Sequence, residues 1–487
     1  MFEAAELGRK VSKAAFAERE PSLRTALLTT QRELVETGAF PVLVIVSGVE
    51  GAGKGTLVDQ LYKWLDARGL RTAAFWNPSD EERERPRYWR FWRHLPAKGS
   101  IGIFFGSWYT DPIIERVYRR LGAAAYEREL RRCAAHERLL VADGMLIVKF
   151  WLHLPESVQR RRLEADVERG LAPSPLLKRF AKRYDAFVKV SERAIRLTDT
   201  GPAPWHVVEA TDPRYRDLAV GEHLLGALRE RLRRPAPALE PGPAPAAANG
   251  PTVLDRVDLG RRVEDKPYEK RLARRQRALS GLAWRAQAAG IDTVAVFEGW
   301  DAAGKGGAIR RLTQAIDARL YQVISVAAPT DEERAHHYLW RFWRHIPRAG
   351  TMTFYDRSWY GRVLVERVEG FARIAEWRRA YQEINDFEEQ LVEHGVVLLK
   401  FWLHLSPDEQ LARFRERESV AWKQHKITAE DWRNRERWDA YAAAVDEMVT
   451  RTSTAFAPWT LVSAEDKRNG RLEVLSTFQD TLAGALS

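Results

Sequence analysis

The sequence predicts an α/β chain in which one domain, a parallel sheet flanked by helices, is written twice in tandem. Two observations predict it: blocks of sequence recur at a constant offset, and within each block short apolar runs alternate with helix-length segments. Trp89-Arg90-Phe91-Trp92-Arg93-His94 returns as Trp340-Arg341-Phe342-Trp343-Arg344-His345. Lys149-Phe150-Trp151-Leu152-His153-Leu154 returns as Lys400-Phe401-Trp402-Leu403-His404-Leu405, and Gly53-Lys54-Gly55 as Gly304-Lys305-Gly306. All three pairs share an offset of 251 residues, and Ala203-Pro204-Trp205 returns as Ala457-Pro458-Trp459 after 254. Ten of the 18 tryptophans fall in matched pairs, which chance does not produce.

In the second copy the first strand is Thr293–Phe297, ending in glycine, with a helix from Lys305 onward. Further strand-sized apolar runs follow at Tyr321–Val326, Met352–Tyr355, Val396–Trp402 and Trp459–Val462. Near-continuous apolar strands between helices argue a parallel sheet covered on both faces. The stretch from Pro407 to Thr454 is helical, charged and rich in Arg, Lys and Glu, the makings of a mobile lid. Alternating Pro and Ala cannot donate a regular hydrogen-bond ladder, so residues 235–250 read as a semi-rigid linker between domains 1–234 and 251–487.

Composition narrows the function. With 45% hydrophobic and 30% charged residues among 487, the chain has a globular balance. No apolar run approaches the roughly 20 residues of a membrane span. The N-terminus lacks a secretory pattern, and one cysteine, Cys133, excludes an intramolecular disulfide and a thiolate metal cluster. A cytoplasmic protein without a membrane partner is expected. The net charge of +11 calls for an anionic partner, which charge alone does not identify.

Gly299-Trp300-Asp301-Ala302-Ala303-Gly304-Lys305 fits G-x-x-x-x-G-K between a strand and a helix, the context a phosphate-binding loop requires. Its successive N–H groups and the helix N-terminus form a concave anion seat, and Lys305 adds a point charge. Gly299, Ala302, Ala303, Gly304, Gly306 and Gly307 are the expected phosphate-binding backbone. Gly306 stands where such loops usually carry the Ser or Thr that holds Mg²⁺, so carboxylates must hold the metal. Asp301 is one candidate, since an acid inside a phosphate loop repels the ligand unless a cation lies between them. Asp356, at a strand end in Phe354-Tyr355-Asp356-Arg357-Ser358-Trp359-Tyr360, is the other, and Arg357 beside it can bond a phosphate.

These residues together resemble the polyphosphate kinase 2 family. The matching stretches are Phe297–Gly307, Pro329-Thr330-Asp331-Glu332-Glu333-Arg334, Asp356–Tyr360, Trp422-Lys423, Ala457-Pro458-Trp459 and Asp466-Lys467-Arg468. Two fused copies, with Asp rather than Asn before Arg-Ser in the second, resemble the family's class II. The resemblance implies a P-loop kinase fold with a helical lid, Mg²⁺ as cofactor, and phosphate transfer from inorganic polyphosphate to AMP, giving ADP. It also suggests Glu333, Arg362 and Glu366 on the acceptor side. A linear polyanion needs many cations, and Arg413, Arg415, Arg417, Lys423, Lys426 and Arg471 supply them; each charged hydrogen bond is worth roughly 1.5–3 kcal/mol.

The copies are unequal. Asp301 faces Glu50, Asp356 faces Phe105, Arg357 faces Gly106 and Arg471 faces Asp217. Phenylalanine cannot ligate Mg²⁺ and glycine cannot grip a phosphate, so catalysis is expected in 251–487 alone. Three alternatives stay open here: ADP as acceptor, an ATP-dependent nucleoside monophosphate kinase, and a basic polyanion binder. Nucleic acid is not the expected partner, because no module for it is present; homo-oligomerisation is left open.

Overall fold

The five apolar runs of each copy become five parallel strands. In the first copy they are β1 (Val42–Gly48), β2 (Leu70–Ala74), β3 (Ile101–Phe105), β4 (Leu146–His153) and β5 (Trp205–Glu209). In the second they are β6 (Thr293–Gly299), β7 (Tyr321–Ser325), β8 (Met352–Asp356), β9 (Val397–His404) and β10 (Trp459–Ser463). The computed structural model describes residues 1–169, 182–234 and 252–487, so the Pro/Ala-rich stretch 235–250 lies outside the described residues.

Strand order is β2-β3-β1-β4-β5 in one sheet and β7-β8-β6-β9-β10 in the other. In both, the chain leaves the central strand for one edge and later returns to its other side. That reversal opens a crevice at the carboxyl ends of the central strand and its neighbour, where ligands of such sheets bind. In the second sheet the crevice lies between β6 and β8, where Phe297 pairs with Asp356. Burial explains why these runs carry no polar alternation: Val294, Ala295, Val296 and Phe297 are fully buried, with helices on both sheet faces.

The helices that matter for the site are α1 (Lys54–Trp64), α2 (Ala123–Ala142) and α3 (Pro213–Arg233) in the first copy. Their counterparts in the second are α4 (Lys305–Thr313), α5 (Ile374–Glu393) and α9 (Lys467–Ala485). Between α5 and α9 come α6 (Pro407–Ser419), α7 (Ala429–Glu436) and α8 (Trp438–Thr452), which form the charged helical stretch read from the sequence. A Pro at the first turn and the Ser406 side chain on the Glu409 N–H start α6, and Thr428 with Asp431 makes a capping box at α7.

The repeated lysine explains part of the duplication. Lys400 on β9 is fully buried and bonds Glu388 on α5 at 2.7 Å, the Tyr360 hydroxyl and the Thr452 carbonyl. Lys149 makes the same set with Glu137 (2.7 Å), Tyr109 and the Thr198 carbonyl. Removing one partner of such a pair strands a buried charge, at a cost of about 3–5 kcal/mol. Trp340 and Trp343 are buried core residues.

The chain forms two compact units, and they depart from the sequence boundaries at two short segments. One comprises Met1–Pro78, Arg90–Ala238 and Asp331–His337; the other comprises Ser79–Trp89, Leu239–Thr330 and Tyr338–Ser487. In the first unit the Lys98 N–H donates to the Ala335 carbonyl, and in the second Arg348 pairs with Glu84 at 2.7 Å. No helix among the described residues is long and apolar enough to cross a membrane.

Candidate active site

The second copy's loop runs from β6 into α4. Gly299 has φ +151°, and a Cβ there would lie 2.6 Å from the Leu403 carbonyl oxygen, so only glycine leaves the strand at this point. Lys305 folds back over the loop, donating to the Gly299 carbonyl at 2.8 Å and the Trp300 carbonyl at 3.3 Å. Trp300 is stacked on Trp438 of α8, ring centroids 3.7 Å apart and 9° from parallel, and its indole N–H donates to His404 Nδ1. Burial pulls the His404 pKa down to about 4, so the ring accepts that bond in its neutral form.

A cavity of about 730 Å³ opens over this loop, lined by Asp301–Ala308, Asp356, Arg357 and the basic residues Arg310, Arg311, Arg417, Lys467 and Arg471. A smaller one of about 70 Å³ is lined by Glu298, Gly299, Trp300, Leu364, Val365, Trp402, Gln410, Asn434 and Tyr441. The two share only Asp301 and Arg357. Those two side chains form the wall between a basic chamber and a more apolar one.

The wall is held from three sides. Arg357 donates to Asp301 at 3.1 Å, and Asn434 of the lid helix α7 donates to the other Asp301 oxygen at 2.9 Å. Gln410 of α6 donates to the Asp301 carbonyl. Ala302 and Arg357 are held at φ +63° and +65°, two of the three non-glycine positive-φ residues among those described. Such conformations cost about 1–3 kcal/mol each and persist where function requires the side chain. Burial pulls the Arg357 guanidinium down, but Asp301, Glu298, Glu430 and Asp356 around it outweigh burial and keep it firmly charged.

Asp301 and Asp356 both line the large cavity, hard oxygen donors beside a phosphate seat. Among the described residues no group of three or more His, Cys, Asp or Glu side chains stands ready for a metal. Two carboxylates fit a cation that takes its remaining ligands from phosphate and water, which is how Mg²⁺ binds at phosphoryl-transfer sites.

The structure therefore gathers Gly299, Asp301, Ala302, Ala303, Gly304, Lys305, Gly306, Gly307, Asp356, Arg357 and Arg471 around one crevice. Arg413 also lines the large cavity, but its donors are turned away from it. Its five N–H groups go to Glu409 and to the carbonyls of Ala302, Ala303, Ala464 and Glu465. No donor remains for a phosphate, so Arg413 clamps the loop instead. Arg162 clamps the first copy's loop the same way, through the carbonyls of Gly51, Ala210 and Thr211. Arg362 and Glu366 pair with each other at 2.8 Å and line neither cavity. Glu333 lies on Asp331–Arg334, a segment of the other compact unit, and lines neither cavity. The Lys423 and Lys426 side chains lie outside the described ones.

Sequence reasoning missed Glu298, Asn434 and Lys467. Glu298 is only 5% exposed beneath the loop, accepts from the Ser358 hydroxyl at 2.8 Å, and has its pKa pushed up by burial. Its counterpart in the first copy is Ser47, a difference that could have marked it.

The description "Polyphosphate kinase 2" matches this chain twice, over residues 10–235 and 262–486. The chain belongs to the polyphosphate kinase 2 family. It is 48% identical to a polyphosphate:AMP phosphotransferase of Pseudomonas aeruginosa, covering all of this chain and 99% of that one. It is 36% identical to a protein of the same description from Acinetobacter johnsonii, over 94% of each chain. A crystal structure of a polyphosphate kinase 2 from Pseudomonas aeruginosa superposes over the whole chain with a TM-score of 0.89 at 47% identity. The protein is thus a kinase-type phosphotransferase of tandem domains, and its family works with a divalent metal.

Proposed function

We propose that the crevice between β6 and β8 moves the terminal phosphate of inorganic polyphosphate to AMP, giving ADP and a polymer one unit shorter. The observation that carries this reading is the shared wall. A basic chamber suited to a polyanion and a smaller, more apolar recess meet at Asp301 and Arg357 alone, so an acceptor phosphate presented from the recess side would face the polymer end across that wall. The description of the full-length relatives agrees.

The loop N–H groups and Lys305 hold the terminal phosphate of the polymer, with Arg471, Lys467 and Arg417 along the chamber for the units behind it. An oxygen of the acceptor phosphate attacks the terminal phosphorus in line, and the bond to the next phosphate of the polymer breaks. Arg357, charged and held at the wall, offsets the negative charge on the transferring group. Asp301 and Asp356 are the residues that would hold Mg²⁺, which when bound neutralises phosphate charge. Asn434 brings α7 down onto Asp301, closing the lid and excluding the water that would compete as acceptor. Residues 1–234 are in this reading catalytically silent.

The test is a donor and acceptor assay on the full chain. ADP should form from AMP with long-chain polyphosphate, should need Mg²⁺, and should not form at a comparable rate with ATP as donor. Equal rates with ATP would make the protein a nucleoside monophosphate kinase instead.

A further inference from the structure

The first copy keeps a complete loop, Gly48-Val49-Glu50-Gly51-Ala52-Gly53-Lys54, leading into α1. Loss of catalytic side chains alone would leave such a loop able to bind phosphate. Two contacts in the structure say otherwise. The Arg216 guanidinium, from the first turn of α3, packs directly on Gly53: a Cβ there would lie 1.9 Å from Arg216 Nη1. Nη1 donates to the Ala52 carbonyl at 3.2 Å, while Nε and Nη2 grip Asp217 at 2.8 and 2.7 Å. Arg216 is only 2% exposed, so a ligand cannot reach it. At the same time Lys54 is held by Glu50 at 2.9 Å.

The second copy is the control. Arg216 and Asp217 correspond to Gly470 and Arg471. A Cβ at Gly304, the counterpart of Gly53, would meet nothing within 4 Å. Lys305 and Arg471 form no ion pair among the described residues, and both line the large cavity. Lys54 and Arg216 are each paired with an acid of their own copy and the first seat is filled; the second loop is open, with Lys305 and Arg471 unmatched among the described residues.

We propose that Arg216, locked by Asp217, is a built-in occupant of the first phosphate loop that keeps inorganic polyphosphate out of it, so that binding at a loop is confined to Lys305. The inference rests on the reading of the second loop as the polymer's seat.

Calorimetric titration of the full chain with inorganic tripolyphosphate tests it. The parent chain should bind one equivalent, lost on Lys305→Ala and untouched by Lys54→Ala. The variant carrying Glu50→Asp, Arg216→Gly and Asp217→Arg, each taken from the second copy, should bind a second equivalent, with affinity about tenfold or more above residual binding. Adding Lys54→Ala should abolish that second site. The proposal is overturned if Lys54→Ala removes a binding equivalent from the parent. It is also overturned if the triple variant, with circular dichroism and turnover at the Lys305 site unchanged, still binds one. Loss of nothing on Lys305→Ala in the parent would instead strike the functional reading.

Discussion

The two loops share strand, glycines and lysine, yet differ in where they hold strain and charge. In the second copy Ala302 and Arg357 sit at positive φ; the equivalent residues of the first, Gly51 and Gly106, sit at φ +82° and +79°. The backbone is the same, and only the side-chain penalty has gone. A fold keeps a costly arginine in a left-handed conformation when the arginine has work to do, and relaxes to glycine when it does not. Charge shows the same split: Lys54 rests on Glu50, whereas Lys305 rests only on carbonyls of its loop. The first loop thus differs from the second by an altered internal order, not only by lost side chains.

The sharpest way to break this comparison is to exchange its acids. Asp301→Asn should lower kcat for AMP phosphorylation by about 100-fold or more, the scale of losing a group that acts on transition-state charge, while Glu50→Gln should leave it within about twofold. Equal losses would contradict the assignment of the two copies.

Next in size is Arg357→Gly. Activity should fall about 100-fold, yet the melting temperature should hold or rise, because about 1–2 kcal/mol of backbone strain is released. The reverse change, Gly106→Arg, should lower the melting temperature, since a Cβ there would stand 2.8 Å from the Phe75 carbonyl oxygen.

A smaller effect belongs to Glu298. Glu298→Ser copies the first domain and should cost about tenfold in kcat/KM, with Glu298→Gln recovering most of it, if the side chain positions the Ser358–Arg357 turn through its hydrogen bond. Asn434→Ala should raise KM severalfold by loosening the lid, with less effect on kcat, as read from steady-state kinetics.

The smallest prediction concerns stability. Burial pushes the Asp292 pKa up to about 6, so its ionised form is disfavoured in the folded chain. A raised carboxyl pKa means stability is lost as pH rises from about 4 to 6. Asp292→Asn should flatten that slope and raise the melting temperature at neutral pH, whereas the first copy, with Pro41 at this position, has no such group.

Topology was the most legible part of the chain. The repeated blocks give two copies, and each apolar run of the second copy lands on a strand within about two residues of its ends. The loop, Asp356 and Arg357 were legible because their residue types carry chemistry in a fixed context. Arg413 shows the limit: the sequence supplies its charge but not its direction, and its donors turn to the Glu409 carboxylate and four backbone carbonyls. Glu298 hides as one acid at the end of an apolar strand, with no periodicity to expose it. Arg216 is harder still, because its meaning lies in long-range packing on Gly53.

The traded segments Ser79–Trp89 and Asp331–His337 have a consequence for dissection. Cutting the polypeptide between its halves would leave each fragment short of a piece lodged in the other. A severed second half would miss the Glu84 carboxylate that Arg348 grasps and the strip around it. Each half is thus a supplier of masonry for its sibling, reason enough for both to persist in one gene product.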